Sequence, residues 1–147
     1  MRQLSQAERQ FLTTHRVARL ATVDAQGQPF VVPICYVFDG TAVYSALDEK
    51  PKSVAPMQLK RVRNIIADPH VALVVDDYSE DWRALAYLQI RGQAVLVEPG
   101  SQEQRAAIPL LRAKYVQYQA MAIDQQPVLQ ITPEAISSWG AVFTARS

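Results

Sequence analysis

The residues whose types and spacing most clearly suggest ligand binding lie between positions 50 and 64, where basic side chains are frequent and acidic ones are absent. The basic residues of this stretch are Lys50, Lys52, Lys60, Arg61 and Arg63. A cationic loop that leads into a helix can hold a phosphate group through charge-assisted hydrogen bonds. A solvated basic surface has the same composition, so the stretch alone leaves both interpretations open.

The other reactive side chains do not form a constellation that could catalyse a reaction unaided. Cys35 lies within an apolar strand pattern, where an inert structural thiol is expected rather than a nucleophile. His15 and His70 share no metal-ligand spacing, and Ser45 is outside a nucleophile-elbow motif. We therefore predict no catalytic side chain and no metal ligand, and an enzyme built this way would depend on a bound cofactor.

An acidic run follows further along the chain, at Asp76, Asp77, Glu80 and Asp81. The run lacks the glycine and the terminal glutamate of a calcium-binding loop. We interpret it as a solvated acidic turn, paired with Arg83 or with the basic stretch.

Composition restricts the class of protein. A length of 147 residues predicts one domain over residues 1–147, and 49% hydrophobic with 20% charged residues argues against disorder. The net charge of +1 argues against a dedicated nucleic-acid binder. The single cysteine excludes a disulfide framework within one chain, and the sequence contains no apolar leader or membrane-length run. A cytoplasmic protein without membrane or nucleic-acid partners is expected.

The elements that must position these residues follow from the hydrophobic pattern. Strands are predicted at residues 16–23, 29–38, 41–47, 70–75, 85–98 and 128–131. Helices are predicted at residues 6–14, 58–67, 101–121 and 132–139. Six short strands with peripheral helices indicate a mainly β (α+β) fold, arranged as a small Greek-key-like barrel.

Three residues inside these elements predict local irregularities. Pro33 cannot sit in a fully paired central strand, so an edge strand or a bulge is expected there. Gly92 favours a bulge or a sharp bend in the longest strand. Pro109 is expected to kink or split the third helix, because its ring clashes with the preceding turn.

Several motifs, in their order and separation, resemble a known family. Residues 19–23, 27–29 and 32–33 resemble the opening of the pyridoxamine 5′-phosphate oxidase-like split-barrel superfamily. Residues 50–52, 59–65, 68–69, 75–78 and 80–82 are similar to its branch of F420-dependent enzymes. The similarity extends over residues 4–139.

The resemblance implies a homodimer of six-stranded Greek-key split barrels with two cofactor grooves between the subunits. The cofactor would be coenzyme F420 or FMN, because the superfamily holds both in the same groove. The implied activity is hydride transfer to or from a small organic substrate. The alternative is a non-catalytic carrier of flavin, F420 or haem, and haem would need His15 or His70 as an axial ligand.

The resemblance also implies which residues hold the cofactor. The backbone of residues 31–33 would face the ring, Ser45 and Ala46 would lie near the ring and ribityl chain, and Lys50 with Lys52 would hold the phosphate. From their position on the following helix, we expect Lys60 or Arg61 to contact a long anionic tail such as that of F420. The full predicted set is Val31, Val32, Pro33, Ser45, Ala46, Lys50, Lys52, Lys60, Arg61, Asn64, Tyr87, Gln89 and Trp139.

Two departures from the family argue against oxidation of vitamin B6. The Ser-Arg-Lys phosphate motif of the true oxidases is replaced by residues 49–52, Glu-Lys-Pro-Lys. The C-terminal arginine-histidine substrate segment has no counterpart, because Arg146 is the one basic residue after Trp139.

Overall fold

The structure, a computed structural model, describes residues 1–47 and 55–144. Within these residues one antiparallel sheet contains seven strands: β1 (Ala18–Val23), β2 (Pro29–Ile34), β3 (Val37–Phe38), β4 (Val43–Ala46), β5 (His70–Asp77), β6 (Ala86–Val97) and β7 (Val128–Gly140). The described α-helices are α1 (Gln6–Thr14), α2 (Lys60–Ala67), α3 (Gln102–Lys114) and α4 (Ala141–Thr144). The strand order is β2-β1-β5-β6-β7-β4-β3, and the sheet curls around the core.

The predicted mainly β, α+β class is confirmed, but the predicted count of six strands is wrong for the described residues. The predicted strand at residues 29–38 divides into β2, which pairs with β1, and β3, which pairs with β4. The chain leaves the first ladder at Tyr36, whose backbone N–H donates to the hydroxyl of Tyr115 at 3.0 Å. Because this hydroxyl replaces a ladder partner, the chain can cross to the other edge of the sheet.

Pro33 and Gly92 lie at the backbone irregularities that the sequence predicts. Pro33 lies in the edge strand β2, as predicted. Gly92 lies at the register shift between β6 and β7, which confirms the predicted bulge. A Cβ atom at Gly92 would be 2.0 Å from the carbonyl oxygen of Thr132, so glycine allows the close approach of the two strands.

The prediction of a last short strand followed by a helix at residues 132–139 is wrong. β7 continues to Gly140 and pairs with β6 along its length. A threonine followed by proline is a common helix start, but the ladder with β6 overrides this local signal. The strand therefore carries Trp139 onto the sheet.

Two helices also differ from the sequence expectation. The third was predicted to reach residue 121 but ends at Lys114, before a 3₁₀ helix at Val116–Ala120. The predicted split at Pro109 is wrong, because α3 continues through this residue as one helix. The helix predicted at residues 58–67 begins at Lys60, and its buried residues include Val62 and Ile65, whereas Ile66 is 63% exposed. No helix in the described part of the chain has the length and apolar character needed to cross a membrane.

Candidate functional site

The face of the sheet directed away from the core carries the residues that could bind a ligand. Along β6 the side chains alternate between buried and exposed, so that Tyr87, Gln89 and Arg91 lie on the same face. Tyr87 is paired with Asp76 of β5 and with Trp139 of β7. We call this side of the sheet the outer sheet face.

A groove of about 620 Å³ opens where the outer sheet face meets the end of β5. It is lined by Arg19, Val74, Asp76, Asp77, Tyr78, Leu85, Ala86, Tyr87 and Trp139. The rings of Tyr87 and Trp139 stack with centroids 6.3 Å apart and an angle of 21° between their planes. Two parallel aromatic rings beside an apolar surface provide a platform for a flat ligand. We call this feature the Tyr87–Trp139 groove.

The charged residues of the groove are paired with one another or with the first helix. Arg19 Nη1 lies 2.6 Å from Asp76 Oδ1, and His15 Nε2 lies 2.6 Å from Asp77 Oδ1. The interpretation of the acidic run as a paired surface turn holds for Asp81, because the Arg83 guanidinium lowers the pKa of its carboxyl. Among the described residues there is no cluster of three or more potential metal ligands.

A buried carboxylate supports the strand that presents Trp139. Glu8 accepts hydrogen bonds from both terminal nitrogens of Arg2, at 2.7 and 2.8 Å, and from the hydroxyl of Ser138, at 2.7 Å. The Glu8 carboxylate also accepts from the backbone N–H of Ser5, which completes a capping box at the start of α1. The hydrogen bond from Arg2, with the others, lowers the pKa of Glu8 to about 2.

Five of the predicted cofactor residues share or adjoin this surface. Tyr87, Gln89 and Trp139 lie together on β6 and β7, as their pairing requires. Val31 is 60% exposed on the edge strand β2, and Pro33, two residues on, is also exposed. Val32 points the other way and packs, partly buried, against the core.

Other predicted residues lie in the interior. Ser45 and Ala46 are buried in β4, and the Ser45 hydroxyl donates to the carbonyl oxygen of Cys35 at 2.8 Å. Asn64 is 2% exposed, and its Nδ2 donates to the hydroxyl of Thr22 at 3.0 Å. In the described residues these polar groups therefore serve contacts within the protein.

The basic residues of the predicted phosphate site are only partly described. Lys50 and Lys52 lie outside the described residues. Lys60 extends its Nζ to 3.8 Å from a carboxylate oxygen of Asp24, and Arg61 at the start of α2 is partly buried.

Sequence reasoning did not assign seven of the nine groove residues to the site: Arg19, Val74, Asp76, Asp77, Tyr78, Leu85 and Ala86. The sequence contained part of this information. Arg19 alternates with apolar residues in a predicted strand, so its side chain had to lie on the opposite face of the strand from theirs. The pairing of β1 with β5, which places Arg19 opposite Val74, joins residues far apart in the chain. Alternation within one strand does not reveal such a partner.

Comparison with known proteins identifies a family and its fold. The family described as pyridoxamine 5′-phosphate oxidase matches residues 4–140. A search of curated proteins finds no significant match.

Solved structures with the same fold have different described roles. HutZ, the heme storage protein from Vibrio cholerae, is 18% identical with a TM-score of 0.74, and the alignment covers 95% of each chain. An F420 reductase is 22% identical, with a TM-score of 0.66 and coverage of 91% of this chain and 98% of that one. A FAD-binding protein from Mesorhizobium loti is 24% identical, with a TM-score of 0.66 and coverage of 93% and 95%. At sequence identities of 18%, 22% and 24%, the similarity to these three structures shows a shared fold.

Proposed function

Since the chain belongs to the pyridoxamine 5′-phosphate oxidase family, we propose that it is an oxidoreductase that uses coenzyme F420 or FMN. Either cofactor, when bound, supplies hydride transfer to or from a small organic substrate. The role of the protein is then to bind the cofactor, orient it and exclude water around it.

The observation that carries this proposal is the Tyr87–Trp139 groove. Its volume of about 620 Å³ lies within the range of small-molecule sites, roughly 300–1,000 Å³. Tyr87 and Trp139 are 41% and 53% exposed, so both residues are accessible to a ligand.

The apolar and aromatic residues of the groove and the basic residues outside it have separate proposed roles in holding the cofactor. Tyr87 and Trp139 would stack on the planar ring, and Val74, Leu85 and Ala86 would exclude water beneath it. The phosphate would lie toward Lys50 and Lys52, with Lys60 or Arg61 contacting the anionic tail of F420.

The same outer sheet face supports a proposed homodimer of split barrels with a cofactor site at each subunit boundary. Val31, at 60% exposure, is a large apolar side chain on an edge strand, where a second subunit could cover it. Sedimentation of Val31→Lys is expected to show dissociation at micromolar concentration. Val116→Lys is the control, since Val116 is 75% exposed in a 3₁₀ helix remote from the sheet ladder. Unchanged dimerisation of Val31→Lys, or a monomeric wild type, would contradict this assembly.

Titration of the purified apoprotein with FMN and with F420 tests the cofactor assignment. Trp139→Ala is expected to weaken binding about tenfold to a hundredfold, because one stacked ring contributes roughly 1–3 kcal/mol. Trp82→Ala is a matched control, since Trp82 is also exposed, at 71%, but does not line the groove. Equal effects of the two changes, or no affinity for either cofactor, would contradict the proposed function.

A haem carrier is the second candidate, and His70 favours it. Its Nδ1 lies 2.8 Å from Asp68 Oδ1, while no hydrogen bond of Nε2 to another described residue is found. A histidine that donates through one nitrogen to a carboxylate is oriented to bind iron through the other. Both ring nitrogens of His15 are engaged, by contrast.

Haem titration followed by absorption spectroscopy separates the candidates. His70→Ala is expected to abolish a Soret shift that His15→Ala retains. A shift that survives in His70→Ala, or none in the wild type, would eliminate His70 as the ligand.

A further inference from the structure

The Tyr87–Trp139 groove contains an ion pair whose two members have hydrogen-bonding capacity to spare. Arg19 Nη1 donates to Asp76 Oδ1 at 2.6 Å. A guanidinium carries five N–H donors, and a carboxylate accepts through two oxygens. Apart from this contact, no hydrogen bond of the two side chains to another described residue is found. The pair therefore offers donors and an acceptor side by side.

The strand register places this pair beside the aromatic rings. Asp76 of β5 is directly opposite Tyr87 of β6, which is opposite Trp139 of β7. Arg19 of β1 is opposite Val74, and Val74 shares a face of β5 with Asp76, two residues further on. Neighbouring strands lie about 4.8 Å apart, so the edge of a planar ring held at Tyr87 is within reach of Asp76 and Arg19.

The charges around this position favour a neutral ligand edge. The Arg19 and Asp76 side chains are 51% and 40% exposed, so a ligand can reach them, and together they carry no net charge. A second carboxylate of the groove, Asp77, has its Oδ1 2.6 Å from Nε2 of His15. An anionic group bound at Arg19 would face both carboxylates, and a cationic group bound at Asp76 would face the guanidinium. A neutral edge that both donates and accepts hydrogen bonds matches the pair best.

We propose that the Arg19–Asp76 pair binds the imide edge of a planar heteroaromatic ring, the sequence of carbonyl, N–H and carbonyl in a pyrimidinedione. Arg19 donates to a ring carbonyl oxygen, and Asp76 accepts from the imide N–H. The rings of FMN and of F420 both carry this edge. Haem has no imide, and its carboxylates would face Asp76 and Asp77. The identity of the ligand rests on the proposed function, whereas the recognition of an imide edge is tested separately from it.

Lumiflavin isolates this contact, because it is the flavin ring without the ribityl chain and the phosphate. Its derivative 3-methyllumiflavin carries a methyl group on the imide nitrogen and cannot donate to Asp76. The wild type is expected to bind lumiflavin about tenfold more tightly than 3-methyllumiflavin, because methylation removes a hydrogen bond to a charged group. Flavin fluorescence, which stacking on aromatic side chains quenches, measures both affinities. Equal affinities for the two ligands would overturn the proposal.

Substitutions assign the preference to one pair of residues. Asp76→Val is expected to bind lumiflavin as weakly as 3-methyllumiflavin. Arg19→Met is expected to weaken both ligands about threefold to tenfold, because each retains its carbonyl groups. Arg83 and Asp81 form a similar exposed ion pair at 3.0 Å that does not line the groove, so Asp81→Val and Arg83→Met are matched controls. A preference that persists in Asp76→Val, or is lost in Asp81→Val, would overturn the proposal.

Spectroscopy of the bound ring provides a second readout, which a purely structural role of the pair would not change. With ¹⁵N-labelled lumiflavin, the imide N–H signal is expected to be protected from exchange with water in the wild type and to lose this protection in Asp76→Val. The infrared carbonyl bands of the bound ring are expected at lower frequency in the wild type than in Arg19→Met, because a hydrogen bond weakens the C=O bond. Identical spectra in the wild type and the variants would also overturn the proposal.

Titration with FMN and with F420 separates this proposal from the proposed function. If both cofactors bind but methylation of the imide nitrogen has no effect, the assignment of the ring edge fails and the proposed function stands. If lumiflavin binds with the preference that depends on Asp76 while FMN and F420 do not bind, the cofactor assignment fails and the assignment of the ring edge stands. The absence of binding by all these ligands would overturn both.

Discussion

Two regions of the molecule bring aromatic rings close to a positive charge, and they use them in opposite ways. In the Tyr87–Trp139 groove the two rings are exposed and stacked, and Arg19 nearby is paired with Asp76. In the interior, the Nζ of Lys114 lies 4.1 Å from the ring centroid of Tyr36 and 5.6 Å from that of Tyr115. We call these last three residues the interior aromatic cluster.

The polar groups of the interior aromatic cluster are engaged in holding the chain together. The hydroxyl of Tyr36 donates to the carbonyl oxygen of Leu12, and that of Tyr115 contacts the backbone of Arg16 and of Tyr36. Burial raises the pKa of Tyr115 to about 12 and lowers the pKa of Lys114 to about 8. The groove differs because its rings retain open faces. Residue type is therefore a poor guide to function until the partners of each polar group are known.

A matched pair of tyrosine changes gives the largest expected difference between the regions. Tyr115→Phe removes contacts of 2.7 and 2.8 Å to two carbonyl oxygens and of 3.0 Å to the backbone N–H of Tyr36. It is expected to lower the free energy of unfolding by about 2–3 kcal/mol, because the backbone N–H and carbonyl groups of the buried Tyr36 lose their partner. Tyr87→Phe is expected to change it by less than about 0.5 kcal/mol, since Tyr87 is exposed.

Urea denaturation of both variants measures this difference. Similar losses of stability in the two proteins would show that the groove tyrosine is also a structural residue. The comparison between the regions would then fail.

Glu8 provides a test of a buried contact that serves the groove, because it holds Ser138 beside Trp139. Glu8→Gln is expected to lower the free energy of unfolding by about 1–2 kcal/mol at pH 7. The effect is limited to this size because the Arg2 side chain is half exposed, so solvent screens its attraction to Glu8. Glu98→Ala is the control, since Glu98 is exposed.

The pH dependence of Glu8 has a definite sign. Its pKa is about 2 in the folded protein against an ordinary 4.5, so the unfolded chain binds more protons between these values. The stabilisation is complete above pH 4.5 and is lost as the pH falls toward 2. The difference between wild type and Glu8→Gln should therefore shrink over this interval. A constant difference down to pH 2 would contradict the assigned contact.

Lys114→Met is expected to have the smallest effect and the opposite sign at pH 7. The buried Nζ atom has no hydrogen-bond partner among the described residues, and methionine can occupy a similar volume. The change is expected to raise the free energy of unfolding by up to about 1 kcal/mol, because removal of an uncompensated buried charge offsets the lost contact with the rings.

Thermal or urea unfolding from pH 7 to 10 checks this assignment. The pKa of Lys114 is lowered from 10.5 to about 8 in the folded protein, so the wild type gains stability as the pH rises above 8. Its deficit relative to Lys114→Met should therefore shrink over that range. A large loss of stability in Lys114→Met at pH 7 would show that the ammonium is a favourable contact.

Local patterns in the sequence determined where many of the helices and strands lie. The helix predicted at residues 6–14 is α1, which begins with a Ser5–Glu8 capping box, and the strand predicted at residues 85–98 is β6. Gly92 marked the bulge and Pro33 an edge strand. These features depend on a few consecutive residues, whose backbone preferences act in any context.

The site depended on contacts that local patterns do not encode. The continuation of β7 through Pro133 to Trp139 follows from its ladder with β6, which overrides a local helix signal. The pairing of His15 with Asp77 joins residues 62 positions apart. Only the tertiary structure decided these partners, because backbone pairing and side-chain burial between distant segments are established together when the sheet closes around its core.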